Sequence, residues 1–389
     1  IYAYLGSRFG RSAELTGASF FLLSRTLGAA ARLYLAANVF QTFVFGPLGI
    51  PFALAVSVII GLMLVYTWQG GIKTLVWTDS FQSLFLVFGV VMSIGIIASD
   101  LGLGLGALVS TVVESPLSQV FVSDWRAPDQ FWKQFTSGAA IAVVMTGLDQ
   151  NSMQKNLSCR SLGEAQKNLY TFSVILVAVN VFFLGLGVLL YEYLKLRGIP
   201  APAQADQLFP TLAFQHLGAG AALVFVLGLT AATFNSADSV LTTLTTSFCI
   251  DFLGFERRPG WTEAARARWR HGVHFAFAVV LLGAILVFKA INQGSVIQLV
   301  LKMAGYTYGP ILGLFALGLW TRVRVGGPMV PVVCGVAPVL CAVLARYSAQ
   351  WFGGYEFGFE LLILNGALVA GGLALVARAR ASEPGSGRL

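Results

Sequence analysis

Residues 216–252 read HLGAGAALVFVLGLTAATFNSADSVLTTLTTSFCIDF. After His216 the first half carries no ionisable group, and the run is long enough to cross a bilayer as a helix. The second half keeps helical spacing but gathers its polar groups. Ala232, Asn235, Ser236 and Ser239 fall at i, i+3, i+4 and i+7, which is one face of a helix. Asp238 lies on the flank of that face, and Thr242, Thr243 and Thr246 follow below. Hydroxyl, amide and carboxylate oxygens are hard ligands that suit an alkali cation stripped of part of its water. The plainer reading is a packing seam, which Ser, Thr and Ala favour between membrane helices. An Asn and an Asp among so many hydroxyls exceed what packing requires, because polar groups are expensive at that depth.

The rest of the chain supports a membrane setting. Hydrophobic residues make up 57% and charged residues 11%, with a mean hydropathy of +0.77. A soluble domain carries about 25% charged residues, so this chain has too little polar surface to cover a globule in water. The net charge of +8 does not point to nucleic acid, because the basic residues sit in short loops between apolar runs. Cys159, Cys249, Cys334 and Cys341 form no CxxC pair, and His216, His271 and His274 are scattered, so neither a disulfide framework nor a metal centre is expected. There is no G-x-S-x-G, HExxH or Walker sequence, and GLGLG at 102–106 lacks the strand context of a phosphate loop. No enzyme is expected.

Ten spanning segments are expected, at 14–45, 49–68, 77–99, 136–157, 168–193, 216–252, 272–290, 304–321, 328–346 and 357–378. With the start of the first in the cytoplasm, sixteen Lys and Arg fall in inside segments and seven in outside ones. That imbalance selects the topology. The 253–271 loop is the most basic and reads as a cytoplasmic anchor. The 100–135 connection reads as an outside segment with Trp125 and Trp132 at headgroup level. The Pro/Ala-rich 194–215 stretch reads as an exposed loop.

Two further polar clusters lie in or beside spans. Asp79 follows the Gly70-Gly71 pair, in the first turn or so of its helix. It reads either as a dipole partner for that helix or as a carboxylate facing Asp238 across a cation path. Gly147, Asp149, Gln150, Asn151 and Gln154 close the 136–157 run and read either as a helix interrupted part-way or as an ordinary polar helix end. Arg25 and Arg32, seven apart, share a face of the first span, and Arg32 lies deep enough to need a partner.

The motifs together resemble the sodium:solute symporter family, sodium-coupled transporters of sugars, proline, pantothenate, sialic acid and similar solutes. The resemblance rests on YLGSRFGR at 4–11, YTWQGGIKTLVWTDSFQ at 66–82 and LDQNSMQKNLSCRSLGEAQKN at 148–168. It continues through AATFNSADSVLTTLTTSFCIDFL at 231–253 and GPILGLFALGLWTRVRVGGPMVPVVCG at 309–335. It implies an all-α integral membrane protein with the five-plus-five inverted-repeat fold first described for a bacterial leucine transporter. Residues 1–321 would be core helices three to ten, 322–378 two peripheral helices, and 379–389 a disordered cytoplasmic tail. In that register the chain starts after the family's first three helices, in keeping with Ile1 as first residue. The broken first core helix, which completes the sodium site and solute pocket, would then lie outside it.

By position, the resemblance gives the Ala232 carbonyl, Asn235 and Ser236 as main sodium ligands. The family usually has Ser where this chain has Asn235. Asp79, Asp238 and Ser239 correspond to a second cation site, and Met145, Thr146, Asp149 and Gln150 to a substrate or helix-break region. Ala142, Val144, Leu176 and Leu301 beside Lys302 replace the residues of galactose-type members, so a sugar of that kind is disfavoured. The expected function is sodium-coupled symport of a small polar organic solute into the cell by alternating access. Sodium is the coupling ion, the lipid bilayer the surroundings, and no further cofactor or nucleic acid is involved. The expected location is the plasma or inner membrane. A transporter-like solute sensor and a proton-coupled symporter are the alternatives.

Overall fold

The computed structural model describes the backbone of residues 1–69, 72–257, 260–291 and 295–382. It describes the side chains of the same residues apart from 66–69, 72–79, 151, 154, 155, 157, 234–238 and 378–382. Among the described residues there are helices and connections and no strand. The helices are α1 (Ala3–Phe9), α2 (Arg11–Phe40), α3 (Phe52–Gln69), α4 (Ile72–Asp100) and α5 (Leu105–Glu114). Next come α6 (Phe131–Ala142), α7 (Gln150–Leu157), α8 (Leu162–Arg197), α9 (Leu208–Gln215) and α10 (Gly218–Ser247). The last are α11 (Glu263–Ile291), α12 (Val296–Thr307), α13 (Gly309–Trp320), α14 (Met329–Trp351) and α15 (Leu361–Ser382). Wide π turns extend three of them, at Gln41–Phe45, Val143–Gly147 and Phe248–Phe252.

The ten expected spans all land on helices, with differences that matter. The 136–157 run is interrupted, as α6, a π turn and α7. The 304–321 run starts earlier and is two helices, α12 and α13, bent by 43°. The 194–215 stretch is not simply an exposed loop. It contains α9, whose Leu208, Leu212 and Ala213 are buried, because their apolar side chains gain more against α8 and α10 than in water. Helix α15 runs on to Ser382, past the expected end at 378, and 383–389 lie outside the described residues. By length and hydropathy alone, four described helices qualify as spans, or five with the bent pair. A helix surrounded by protein need not be apolar all round, and α2, with Arg11, Glu14, Arg25 and Arg32, fails that standard for this reason.

Helix α2 is the hub. Ala29, Ala30, Ala31, Ala36 and Ala37 are buried along it, and such small side chains let neighbouring backbones approach closely. α10, α11 and α12 pack on it. Its first turn is tied down by ions: Glu14, 2% exposed, takes Arg11 at 3.0 Å and also Arg257 from the loop after α10. The YLGSRFGR segment forms α1 and its exit, and Arg8 donates to the carbonyls of Thr321 (2.7 Å) and Gly318 (3.4 Å). A cation there satisfies the free carbonyls at the end of α13.

The α12–α13 bend has a local cause. Pro310 has no N–H for the carbonyl of Tyr306, so the helix ladder breaks there. Asn365 of α15 fills the gap, donating through Nδ2 to Tyr306 (2.9 Å) and to Gly305 (3.0 Å). Gly309 makes the close approach possible: a Cβ there would stand 2.3 Å from the Asn365 amide.

Candidate functional site

The interrupted 136–157 segment meets α2 at Asp149. Asp149 ends the break and caps α7, its Oδ1 accepting from Ser152 N–H at 3.0 Å. It is fully buried, and the Arg25 guanidinium supplies its counter-charge, with Nε donating to Oδ2 at 2.6 Å and Nη2 against Oδ1. The Tyr2 hydroxyl donates to the Leu148 carbonyl at 3.3 Å. The break is thus held to α1 and α2 by a buried ion pair and a backbone bond. A pair this deep is costly to desolvate and very costly to leave half-made.

Beside it lies a small cavity of about 10 Å³. Ser24, Arg25, Gly28 and Arg32 of α2 form one wall. Met145 of the π turn forms a second, and Val300, Met303, Ala304 and Tyr308 the third. The Nε of Arg32 is buried without a hydrogen-bond partner among the described residues. Sequence reasoning found Met145 and Asp149 and the shared face of Arg25 and Arg32. It missed that Asp149 answers Arg25, and that Ser24, Gly28 and Tyr308 complete the cavity. The interruption read at Gly147–Asp149 was the signal that could have pointed there, because a break exposes groups that a neighbouring helix must satisfy.

Thr146 and Gln150 are half-buried at the same break. Ala232 and Ser239 are half-buried on α10, which packs on α2, α4 and α7. The side chains of Asn235, Ser236, Asp238 and Asp79 lie outside the described residues. Around them, Thr233, Thr243 and Thr245 donate to the carbonyls of Leu229, Ser239 and Leu241 at 2.6–2.7 Å. Such bonds to the residue four before satisfy the proton and leave the oxygen able to accept, and the Thr245 oxygen is already engaged, 3.0 Å from Nδ1 of His274. Among the described residues no group of three His, Cys, Asp or Glu could hold a transition metal.

Comparison with known proteins agrees with this architecture. The profile of the sodium:solute symporter family matches residues 1–335. The sodium/sialic acid symporter SiaT of Proteus mirabilis is 22% identical, over 90% of this chain and 70% of its own length. The sodium/sialic acid symporter NanT of Aliivibrio fischeri is 24% identical, over 95% and 73%. Sodium-coupled monocarboxylate transporter 2 of Danio rerio is 27% identical, over 82% and 51%. A solved structure of a Na+-coupled sialic acid symporter, in a substrate-bound outward-open state, superposes with a TM-score of 0.76. The superposition covers 97% of this chain and 76% of that one, at 20% identity. With most of its length under the family profile, the chain belongs to the sodium:solute symporter family, multi-pass membrane proteins that move a small polar organic solute with sodium.

Proposed function

We propose that the chain carries its solute inward by alternating access, with sodium held on α10 and the solute at the interrupted 143–150 segment. The carrying observation is the pinned break: Asp149, buried on Arg25, next to a cavity lined by α2, the π turn and α12. Interrupted helices near the bilayer midplane are where such transporters place their sites, and the bent α12–α13 pair is a second discontinuity. The Ala232 carbonyl, Asn235 and Ser236 bind the main sodium. Asp79, Asp238 and Ser239 bind or guide a second cation, and α4 and α10, which carry them, pack together. Sodium entry down the membrane potential supplies about 2.3 kcal/mol per charge per 100 mV. Sialic acid, the solute in the names of SiaT and NanT, is the first solute to try.

The test is the thermal midpoint of the purified protein in sodium, potassium or choline at equal ionic strength. A ligand that binds only the folded state raises the midpoint. The reading expects a rise specific to sodium and its loss in Ser236→Ala. Equal midpoints in all three cations overturn it. A midpoint that follows pH instead, and stops doing so in Asp79→Asn or Asp238→Asn, favours proton coupling.

A further inference from the structure

The outward face of α11 carries a groove that the transport site does not use. Ala265, Arg268, Trp269, Gly272, Val273 and Ala276 line it, and its volume is about 600 Å³. These positions recur every three or four residues and so form one stripe of the helix. The opposite stripe, His274, Ala278, Leu281 and Ile285, is the one that packs inward. A Cβ at Gly272 would meet nothing within 4 Å among the described residues, so the glycine leaves the groove open. Trp269 is 52% exposed, and its ring stands edge-on to Trp261 with centroids 6.3 Å apart. The one acidic residue of α11, Glu263, lies 3.7 Å from Arg266. Among the described residues no carboxylate is paired with Arg268 or Arg270. With the span expected at 272–290, Arg268 stands one turn, about 6 Å, outside the hydrocarbon, at the depth of lipid headgroups. Below it the stripe continues through Val279, Val280 and Val287, which are 50–56% exposed.

We infer that this groove docks one phospholipid with an anionic headgroup, from the cytoplasmic leaflet. The Arg268 guanidinium offers a planar fork of donors that matches a phosphate in bidentate geometry. The Trp269 indole offers one N–H to the same headgroup, and its ring suits the interface between water and hydrocarbon. Arg270, half a turn away, adds to the positive field that favours an anionic lipid. One acyl chain then lies over Gly272 and Ala276 and along the valine track. Charge and apolar surface are continuous here, and only a lipid uses both. A free phosphate gains nothing from the valines, and a zwitterionic lipid brings an ammonium group that the arginines repel. A second copy of this chain, paired about a two-fold axis, would set Arg268 and Arg270 against their own equivalents, and like charges across an interface are unfavourable. The inference does not depend on which ion or solute is carried.

The experiment is native mass spectrometry of the full chain in a neutral detergent, titrated with phosphatidylglycerol or phosphatidylcholine of the same acyl chains. One phosphatidylglycerol is expected to bind about fivefold or more tighter than phosphatidylcholine. Arg268→Gln should weaken the phosphatidylglycerol about fivefold, the share of one arginine beside an anionic headgroup. Gly272→Leu, which fills the groove, should weaken it at least as much. Arg322→Gln, an exposed arginine on the α13–α14 connection, should leave it unchanged. Arg268 and Gly272 are both exposed, so the two groove variants should melt with wild type when no lipid is added, and their loss of binding is then not a loss of fold. Equal binding of the two lipids overturns the inference, as does a loss in Arg322→Gln equal to that in Arg268→Gln, which would make the attraction a diffuse surface charge. Full displacement of the lipid by glycerol phosphate at equal concentration also overturns it, because a free phosphate would then suffice. So does a doubled mass without lipid that Gly272→Leu abolishes, which would assign the groove to a second copy of the chain.

Discussion

Helices α2 and α8 are both long, yet they solve opposite problems. α8 shows its apolar residues outward: Val174, Val177, Val181 and Leu184 are 64–71% exposed, and little of its most apolar stretch is buried. Exposed apolar area on that scale is stable against lipid and not against water. α2 buries alanines against three neighbours and carries two arginines into the interior, one answered by Asp149 and one facing a cavity. Lipid therefore reads α8, and the ligand site reads α2. Apolarity marks the helices that touch the bilayer, whereas the helices that make the site are the less apolar ones.

The contrast between α2 and α8 depends most on the Arg25–Asp149 ion pair. Asp149→Ala leaves Arg25 buried and unanswered and should cost about 3–5 kcal/mol, seen as a large fall in unfolding midpoint. Replacing the pair together, Arg25→Met with Asp149→Leu, should recover much of that loss while uncoupling the break from α2. Next comes packing on the hub. Ala30→Leu, at a fully buried position of α2, should cost about 1–3 kcal/mol through overpacking. Asn365→Leu should cost about 1–3 kcal/mol, because it strips the Tyr306 carbonyl of the donor that replaces Pro310, and the same thermal assay measures it. The smallest effect should come from α8: Val181→Ala, 64% exposed, should stay within about 0.5 kcal/mol. A loss on α8 as large as that of Ala30→Leu would mean that the outer face of α8 is covered by protein and that the contrast is wrong.

Much of this was legible in the residues. Every apolar run announced a helix, and GGI…WTD…Q with AA…S-D-S announced the family. The interruption after Gly147 was visible as polar residues closing an apolar run, although a polar helix end fitted equally well until Asp149 was seen fully buried on Arg25. The α12–α13 bend was missed despite Pro310, because a proline near a helix start is ordinary and the decisive partner, Asn365, lies in another span. Helix α9 was missed because the Pro and Ala around it read as a loop, and only packing on α8 and α10 shows why Leu208 and Leu212 turn inward. Arg32 was legible as a charge too deep to be idle. That its Nε is buried without a hydrogen-bond partner among the described residues was not legible, since this depends on three helices at once.

Sodium binding by α10 is the central step of the proposed transport. The measurement is equilibrium binding of radioactive sodium to the purified chain, wild type against Ser236→Ala, with potassium as competitor. It predicts saturable binding that potassium does not displace and that Ser236→Ala abolishes. Binding unchanged in Ser236→Ala, or displaced equally by potassium, would contradict the assignment of the sodium site to this helix.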